Sequence, residues 1–282
     1  MIKSISYWSF EHGLANTHPI DAALREAKEA GFEGLELCIG TEGVLSVEST
    51  RQECEAIRDQ IDASGLVVQT VASGMSWGFN PVSNDPAIQE QAIVLHEAAL
   101  QRVAWLGCNA MLFVPGVVTS PISPDERVRY DHALERAARN VRRLLETAER
   151  VGVDLCLENV WNGLFYSPVE LASFIDDIDH ERLGVYLDVG NLLGYQQHPP
   201  HWIELLEKRI KRVHVKDFAE EFGWTGQYEF AKLGEGQVPL AESVAELRNI
   251  GYAGTVVAEM MPWTPTLLVE TSKAMDAMLS DD

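Results

Sequence analysis

Four ionisable side chains stand at the carboxyl ends of four short apolar runs in the second half of the chain: Glu158, Asp188, His214 and Glu259. A charged group at the end of a buried strand is costly unless another group compensates it. One imidazole and three carboxylates form an oxygen and nitrogen ligand set that suits Mn, Mg, Co or Zn, and the metal charge offsets the repulsion between the acids. These residues therefore predict a site for one divalent metal ion.

Each of these residues also has an ordinary interpretation. A single acidic residue after a strand is more commonly a helix N-cap or a solvated loop residue, and a single histidine is more commonly structural. The metal hypothesis depends on finding such residues at the ends of four consecutive strands, where they can meet.

Eight short apolar runs alternate with long segments of helical period, which is typical of βα units around a parallel sheet. The eight runs predict one (β/α)8 TIM barrel domain over residues 1–282, and a length of 282 residues suits this fold. The predicted strands are residues 4–10, 33–37, 66–72, 110–114, 153–159, 184–189, 212–215 and 255–259.

Two segments place apolar side chains at steps of three and four, which predicts helices that cover the barrel. The Ser-Pro-x-Glu patterns at 123–126 and 167–170 predict helix starts, with a hydroxyl at the N-cap and proline at the first helical position. The two apolar series are Ile88, Ala92, Leu95, Ala99, Val103, Leu106 and Leu134, Ala137, Val141, Leu144, Ala148, Val151.

Residues two apart in a strand share one face, so the orientation of the proposed ligands predicts that of their neighbours. If Glu158 faces inward, Asp154 does too, and an inward His214 implies inward Arg212 and Lys216. We therefore expect Asp154 to pair with Arg212 beneath the metal, and Lys216 to lie at the barrel mouth beside the substrate.

The net charge of −21 disfavours nucleic acid and anionic membrane surfaces as partners. The four cysteines lack the spacing of a disulfide framework or a zinc site, so we expect reduced, buried thiols. The start of the chain has no apolar signal core, and no window approaches 18 uncharged apolar residues, so we expect a cytoplasmic protein without membrane spans.

The chain resembles the xylose isomerase-like TIM barrels, in particular the sugar phosphate isomerase/epimerase group that includes the ketose 3-epimerases. The resemblance covers nearly the whole length and is carried by ENVWN at 158–162, YLDVGN at 186–191, VHVKD at 213–217, LGEG at 233–236 and AE at 258–259. It implies that Glu158, Asp188, His214 and Glu259 bind one metal ion, manganese among the candidates. It also implies that Glu158 and Glu259 act as an acid/base pair on a sugar, and that a homo-oligomer is possible.

The resemblance has departures at substrate-binding positions. Where ketose 3-epimerases have a substrate-contacting histidine three residues after the Asp of strand six, this chain has Asn191, and the expected arginine after strand seven is absent. Apurinic endonucleases of the same superfamily need further histidines on strands three and four, and these strands have none here.

The metal and the acid/base pair together predict isomerisation or epimerisation of a ketose or related sugar through an enediolate. We expect Trp8 and Trp161, near strand ends, to pack on the sugar, with Asn191 and Lys216 also binding it. Only Lys216 and Lys232 are obvious cations in the loops after strands seven and eight, which favours a substrate without phosphate.

Two other functions fit the same residues. A metal-dependent lyase or dehydratase acting on a keto-sugar or keto-inositol would need the same metal and base. A barrel that binds sugar or a partner protein without turnover is the third alternative, although it would not need an acid/base pair.

Overall fold

Eight parallel strands close into a barrel in the computed structural model, which describes residues 1–120, 126–220 and 228–280. The eighth strand pairs with both the first and the seventh, so this sheet has no open edge. The barrel strands are β1 (Ile2–Ser6), β2 (Gly34–Ile39), β3 (Thr70–Ser73), β4 (Ala110–Phe113), β5 (Asp154–Glu158), β6 (Leu183–Asp188), β7 (Ile210–Val215) and β10 (Thr255–Ala258).

Helices follow the barrel strands and cover the outside of the barrel. Their bounds are α1 (Ile20–Glu29), α2 (Arg51–Ser64), α3 (Pro86–Trp105), α4 (Tyr130–Val151), α5 (Pro168–Ile178), α6 (Pro199–Leu206), α7 (Leu240–Asn249) and α8 (Leu267–Leu279). The predicted (β/α)8 fold is confirmed. None of the helices within the described ranges is both long and apolar enough to cross a membrane.

The largest hydrophobic cluster joins the barrel to its helices, and a second, smaller cluster fills the barrel interior. The interior cluster includes Ala72, Leu112, Cys156 and Tyr186, which face inward because side chains alternate along each strand. Polar groups cluster at the mouth above this apolar layer, so the interior is a packed core rather than a channel.

Most predicted local features are present. Ser167 caps α5 by accepting a hydrogen bond from the backbone N–H of Glu170 at 3.2 Å, and Pro168 is the first residue of this helix. Gly107 and Gly152, which follow α3 and α4, adopt φ values of 79° and 76°, a conformation that favours glycine. The cysteines are free and buried.

The predicted helix start at 123–126 is wrong as far as the described residues go, because α4 begins at Tyr130. Residues 123–125 lie outside the described residues. Glu126 instead accepts hydrogen bonds from the side chains of Asn80 (3.1 Å) and Ser83 (2.8 Å), so its carboxylate supports the loop before α3. On α3, Ile88 is 36% exposed rather than buried.

Two strand predictions are shifted and one hairpin was not predicted. The first strand ends at Ser6, whose hydroxyl accepts from the N–H of Trp8 and starts the 3-10 turn Tyr7–Ser9. The third begins at Thr70, and residue 67 makes only an isolated bridge. After β7, the antiparallel strands β8 (Phe218–Glu220) and β9 (Tyr228–Phe230) form a small separate sheet.

Candidate metal centre

The carboxyl ends of β5, β6, β7 and β10 bring the four predicted ligand residues together. One ligand atom from each of Glu158, Asp188, His214 and Glu259 lies within 4.8 Å of all the others, and all four residues are buried. In the pairing of β6 with β7, Asp188 stands opposite His214. Residues far apart in the chain therefore meet because each ends a parallel strand on one rim.

The imidazole of His214 faces three acids on one side and a fourth on the other. Its Nδ1 lies 3.5 Å from Glu259, 3.9 Å from Asp188 and 4.0 Å from Glu158. Its Nε2 lies 2.8 Å from Oε1 of Glu36 in β2. Histidines that bind metals commonly donate their other N–H to a carboxylate, which fixes the ring orientation.

Glu36 is itself held inside the barrel. It is fully buried, and its Oε2 accepts hydrogen bonds from the hydroxyl of Tyr186 and, at 3.4 Å, from Thr70. Carboxylate oxygens only accept when ionised, so Glu36 is arranged to receive the N–H of His214. Glu36 was missed in the sequence analysis, although an acid within the apolar run GLELCI of β2 is an unusual residue in a buried strand.

Lys216 places its ammonium group directly against the cluster. Its Nζ lies 2.8 Å from Oδ2 of Asp188 and 2.6 Å from Oε2 of Glu259, and the side chain is buried. Burial opposes the charge on lysine, but Asp188 and Glu259 outweigh this and raise the pKa of Lys216. The structure thus places Lys216 at the mouth beside the cluster, and its predicted contact with substrate stays a prediction.

The two proposed acid/base residues have pKa values shifted in opposite directions. Burial, reinforced by the nearby carboxylate of Glu259, raises the pKa of Glu158 to about 8. Burial also disfavours the carboxylate of Glu259, but Lys216 and His214 outweigh it and lower its pKa to about 2. Pairs of carboxyl groups with separated pKa values are suited to opposite roles in proton transfer.

Two asparagines fix the position of Asp188. The side chain of Asn159 donates to the backbone oxygen of Asp188 at 2.8 Å and accepts from its N–H at 2.9 Å. Asn191 donates its side-chain N–H to the backbone oxygen of Asn159 at 2.9 Å, and its backbone N–H to Oδ1 of Asp188 at 3.0 Å. These bonds tie the ends of β5 and β6 together. The predicted contact between Asn191 and substrate stays a prediction.

Trp8 and Trp161 lie on different sides of the barrel mouth. Trp8, after β1, lines a cavity of about 270 Å³ with Cys38 near the end of β2 and Gly74 directly after β3. Trp161, after β5, donates its indole N–H to the backbone oxygen of Asn191 at 2.7 Å. Its ring lies 5.3 Å from that of Phe218 and 5.4 Å from that of Tyr228, both in the hairpin β8–β9.

The predicted pair between Asp154 and Arg212 is wrong. Asp154 lies 3.1 Å from Nζ of Lys211 and 3.4 Å from a guanidinium nitrogen of Arg182. Arg212 instead donates to the side-chain oxygen of Asn109 at 2.5 Å and to the backbone oxygen of Lys211. Asp154 is taken by neighbouring cations at the amino end of β5, a position that alternation alone does not reveal.

The chemistry of the cluster fits a divalent cation. His214 Nδ1 is buried and has no hydrogen-bond partner within the described ranges, although three carboxylates surround it. Four buried carboxylates, including that of Glu36, face one lysine and one imidazole. A divalent ion would balance this excess of negative charge, and Glu158, Asp188, His214 and Glu259 supply the oxygen and nitrogen donors that such ions accept.

Sequence relatives include two sugar epimerases. The chain is 27% identical over 198 residues to D-psicose 3-epimerase of Ruminiclostridium cellulolyticum, covering 68% of this chain and 63% of that protein. It is 24% identical over 259 residues to an L-ribulose-5-phosphate 3-epimerase of Salmonella paratyphi C, covering 90% of this chain and 86% of that protein.

The fold is shared with solved structures. A crystal structure of D-psicose 3-epimerase with D-tagatose from Clostridium cellulolyticum H10 superposes with a TM-score of 0.80, covering 99% of this chain and 98% of that chain at 20% identity. The family model described as xylose isomerase-like TIM barrel matches residues 24–277. Because this match spans most of the barrel and all four candidate ligands, the chain belongs to the xylose isomerase-like TIM barrel family.

Proposed function

We propose that this protein is a divalent-metal-dependent epimerase that acts on a ketose or related keto-sugar. The observation that carries the proposal is the cluster of Glu158, Asp188, His214 and Glu259, whose ligand atoms lie within 4.8 Å of one another. The similarity to proteins named as 3-epimerases of psicose and of L-ribulose 5-phosphate supports the reaction type.

Epimerisation next to a carbonyl group requires one base to remove a proton and one acid to return a proton to the opposite face. We assign these roles to Glu158, the last residue of β5, and Glu259, which directly follows β10. Lys216 stabilises the carboxylate of Glu259, so Glu259 is ionised and available as the base. In the cluster without metal the pKa of Glu158 is raised, so Glu158 takes up a proton more readily than Glu259, which supports its assignment as the acid.

The other residues of the cluster hold the substrate and its charge in place. A divalent ion bound by the four ligands would polarise the carbonyl and the adjacent hydroxyl and stabilise the negative charge that develops as the proton leaves. Lys216 adds a fixed positive charge next to Asp188 and Glu259. We assign Trp8, Trp161, Asn191 and Lys216 to substrate binding.

The test is exchange of substrate hydrogen with solvent. Metal-reconstituted protein is incubated in D2O with ketoses, keto-inositols and their phosphates, and NMR and mass spectrometry identify the labelled carbon and the product. We expect deuterium at the carbon beside the carbonyl and an epimeric product. An isomer would place the proton on the adjacent carbon, and an eliminated product would indicate a lyase.

Variants connect the exchange to the two acids. Glu158→Gln and Glu259→Gln keep the side-chain size and should lower the exchange rate by about 100-fold to 10,000-fold. Asp154→Asn, at the other end of β5, is the matched control and should keep most of the activity. Absence of exchange and of product with every substrate and metal would contradict the proposal and favour a binding protein.

A further inference from the structure

A series of hydrogen bonds crosses the barrel interior beneath the candidate metal centre. The hydroxyl of Tyr186 on β6 donates to Oε2 of Glu36 on β2. The other oxygen of the same carboxylate, Oε1, lies 2.8 Å from Nε2 of His214 on β7. Strand β2 pairs with β1 and β3 but not with β6 or β7, so these side chains meet across the interior. We call Tyr186, Glu36 and His214 the interior chain.

The hydroxyl of Tyr186 limits the rotation of the Glu36 carboxylate. The last side-chain torsion of glutamate has only a broad preference, so a carboxylate with a single partner can turn about that bond. In Glu36 each oxygen has its own partner, because Oε1 faces His214 and Oε2 accepts from Tyr186. Thr70 on β3 adds a longer hydrogen bond to Oε2, at 3.4 Å. Contacts at both oxygens fix the plane of the carboxylate, and this plane directs Oε1 at the imidazole.

Tyr186 is held in turn by the barrel core. Its side chain is fully buried and packs in the interior cluster with Leu112 and Cys156. The centroid of its ring lies 4.4 Å from that of the His214 ring, and the two planes meet at 59°. Close-packed interior side chains have little room to change rotamer. The hydroxyl of Tyr186 is therefore a fixed donor that points at the carboxylate of Glu36.

We propose that Tyr186 is a positioning residue for the metal centre, whose hydroxyl orients the carboxylate of Glu36 and, through it, the imidazole of His214. The inference rests on the proposed function, because it concerns the metal ion that this function requires. Partners behind a metal-binding histidine change metal affinity without touching the ion. The interior chain extends this effect by one further residue, since Tyr186 supplies no ligand atom and acts through Glu36.

Packing of the aromatic ring is the alternative role of Tyr186. The ring fills part of the barrel core beside His214, and a role in packing would need the ring but not the hydroxyl. Tyr186→Phe separates the two roles, because it removes one oxygen atom and keeps the ring. A role in packing alone predicts an unchanged metal affinity in this variant, whereas the interior chain predicts a weaker one.

The first experiment measures the Kd of Co²⁺ by isothermal titration in the native protein and in Tyr186→Phe. We expect the Kd to increase about tenfold in the variant, which is the lower end of the effect of a partner that contacts the histidine directly. Tyr252→Phe is the matched control and should keep the native Kd. The hydroxyl of Tyr252 donates to the backbone oxygen of Thr255 at 2.7 Å, at the opposite end of β10 from Glu259.

The result separates this inference from the proposed function. An unchanged Kd in Tyr186→Phe would overturn the inference and leave a metal-dependent epimerase intact. Absence of Co²⁺ binding in the native protein would contradict the proposed function, and the inference would fall with it.

A double-mutant cycle tests whether Tyr186 acts through Glu36. Glu36→Leu removes both acceptor oxygens with a side chain of similar size, so the hydroxyl of Tyr186 has no carboxylate left to orient. In this background Tyr186→Phe should change the Kd of Co²⁺ by less than about twofold, because residues that act through one another do not contribute additively. A tenfold effect that persists in the Glu36→Leu background would overturn the inference and indicate a direct effect of Tyr186 on His214.

Proton NMR of the Co²⁺-loaded protein gives a readout that packing alone would not change. The paramagnetic ion shifts the exchangeable proton on Nε2 of His214 away from the other signals, and the hydrogen bond to Glu36 protects this proton from solvent. We expect faster exchange of this proton in Tyr186→Phe than in the native protein and in Tyr252→Phe. The same exchange rate in all three proteins, or no such signal in the native protein, would overturn the inference.

Thr70→Val covers the case in which Tyr186→Phe does not fold. It removes the second hydroxyl that donates to Oε2 of Glu36 and keeps the shape of the side chain. Because the hydrogen bond from Thr70 is long, at 3.4 Å, we expect the Kd of Co²⁺ to increase by only about twofold to threefold. An unchanged Kd in Thr70→Val, with Tyr186→Phe unfolded, would also count against orientation of Glu36 by its hydroxyl partners.

Discussion

The Nε2 atom of His214 lies 2.8 Å from Oε1 of Glu36, and both side chains are fully buried. An ionised carboxylate can only accept a hydrogen bond, so this contact places a proton on Nε2. In the neutral imidazole, the lone pair of Nδ1 then points at Glu158, Asp188 and Glu259. At the proposed metal site, a glutamate on β2 thus leaves Nδ1 of a histidine on β7 as the atom that would bind the ion.

Glu36→Gln is expected to weaken divalent metal binding by about 10-fold to 100-fold, because a neutral acceptor orients His214 less firmly and makes it a poorer donor. Isothermal titration with Mn, Co or Zn measures the change in Kd. Glu33→Gln, just before β2, is the matched control, since Glu33 accepts from the N–H of Lys3 at 3.0 Å. Equal affinities in all three proteins would contradict this role for Glu36.

Metal affinity should fall as the pH is lowered from 8 to 6. Burial and the carboxylate of Glu259 raise the pKa of Glu158 to about 8, so below this pH a metal ion has to displace a proton from Glu158. The Kd is expected to increase about tenfold for each pH unit and for each proton that the metal displaces.

Titrations in buffers with different ionisation enthalpies measure the released protons directly. Glu158→Gln serves as the internal comparison, because it removes one titrating ligand and should reduce the number of protons released. A Kd that is constant from pH 6 to pH 8 in the native protein would show that Glu158 does not compete for a proton.

Asn159→Ala should destabilise the ends of β5 and β6 and weaken metal binding together. The substitution leaves both the N–H and the carbonyl oxygen of Asp188 without their partner in Asn159, and buried unsatisfied groups of this kind cost about 1–3 kcal/mol. Denaturant unfolding and metal titration test the two effects. Asn249→Ala, at the exposed end of α7, is the control for loss of an asparagine side chain. Normal metal affinity in a destabilised Asn159→Ala would contradict the expected effect on metal binding and leave Asn159 with a role in stability alone.

The buried imidazole of His96 should make the free energy of unfolding fall as the pH is lowered, whether or not a metal ion is bound. Burial lowers the pKa of His96 to about 4. Its Nδ1 donates to the backbone oxygen of Ala92 at 2.7 Å, and its Nε2 lies 3.3 Å from the hydroxyl of Ser73. As the pH falls below about 6.5, the unfolded chain binds a proton before the folded chain does. The stabilisation is present at neutral pH and is lost as the pH falls toward 4.

The expected contribution between pH 7 and pH 5 is about 2 kcal/mol of unfolding free energy. Urea unfolding at both pH values should show that His96→Gln loses less stability than the native protein by this amount. His12→Gln, with a side chain that is 70% exposed in the native protein, should behave like the native protein. A His96→Gln variant with the same pH dependence as the native protein would mean that the buried ring does not titrate in this way.

The sequence was sufficient to predict the four candidate ligands. Glu158, Asp188, His214 and Glu259 each end an apolar run, and in a closed parallel barrel all such ends face one rim. Local spacing and the fold class therefore predict that they meet, and the structure brings them within 4.8 Å of one another. The caps at Ser167 and Gly152 were predictable for a similar reason, since they depend on a few adjacent residues.

Tertiary structure decided which side chains support these ligands. Glu36 meets His214 across 178 positions of sequence. The carboxylate of Asp217 accepts hydrogen bonds from the backbone N–H groups of Gly234, Gly236 and Val238. Alternation predicted a pair between Asp154 and Arg212, but Asp154 pairs instead with Lys211 and Arg182 at the amino end of β5. Alternation specifies which face of a strand a side chain lies on. A hydrogen bond also requires that the two groups lie at the same level along the barrel axis, point at each other and have no other partner. Only the closed barrel sets these three conditions together.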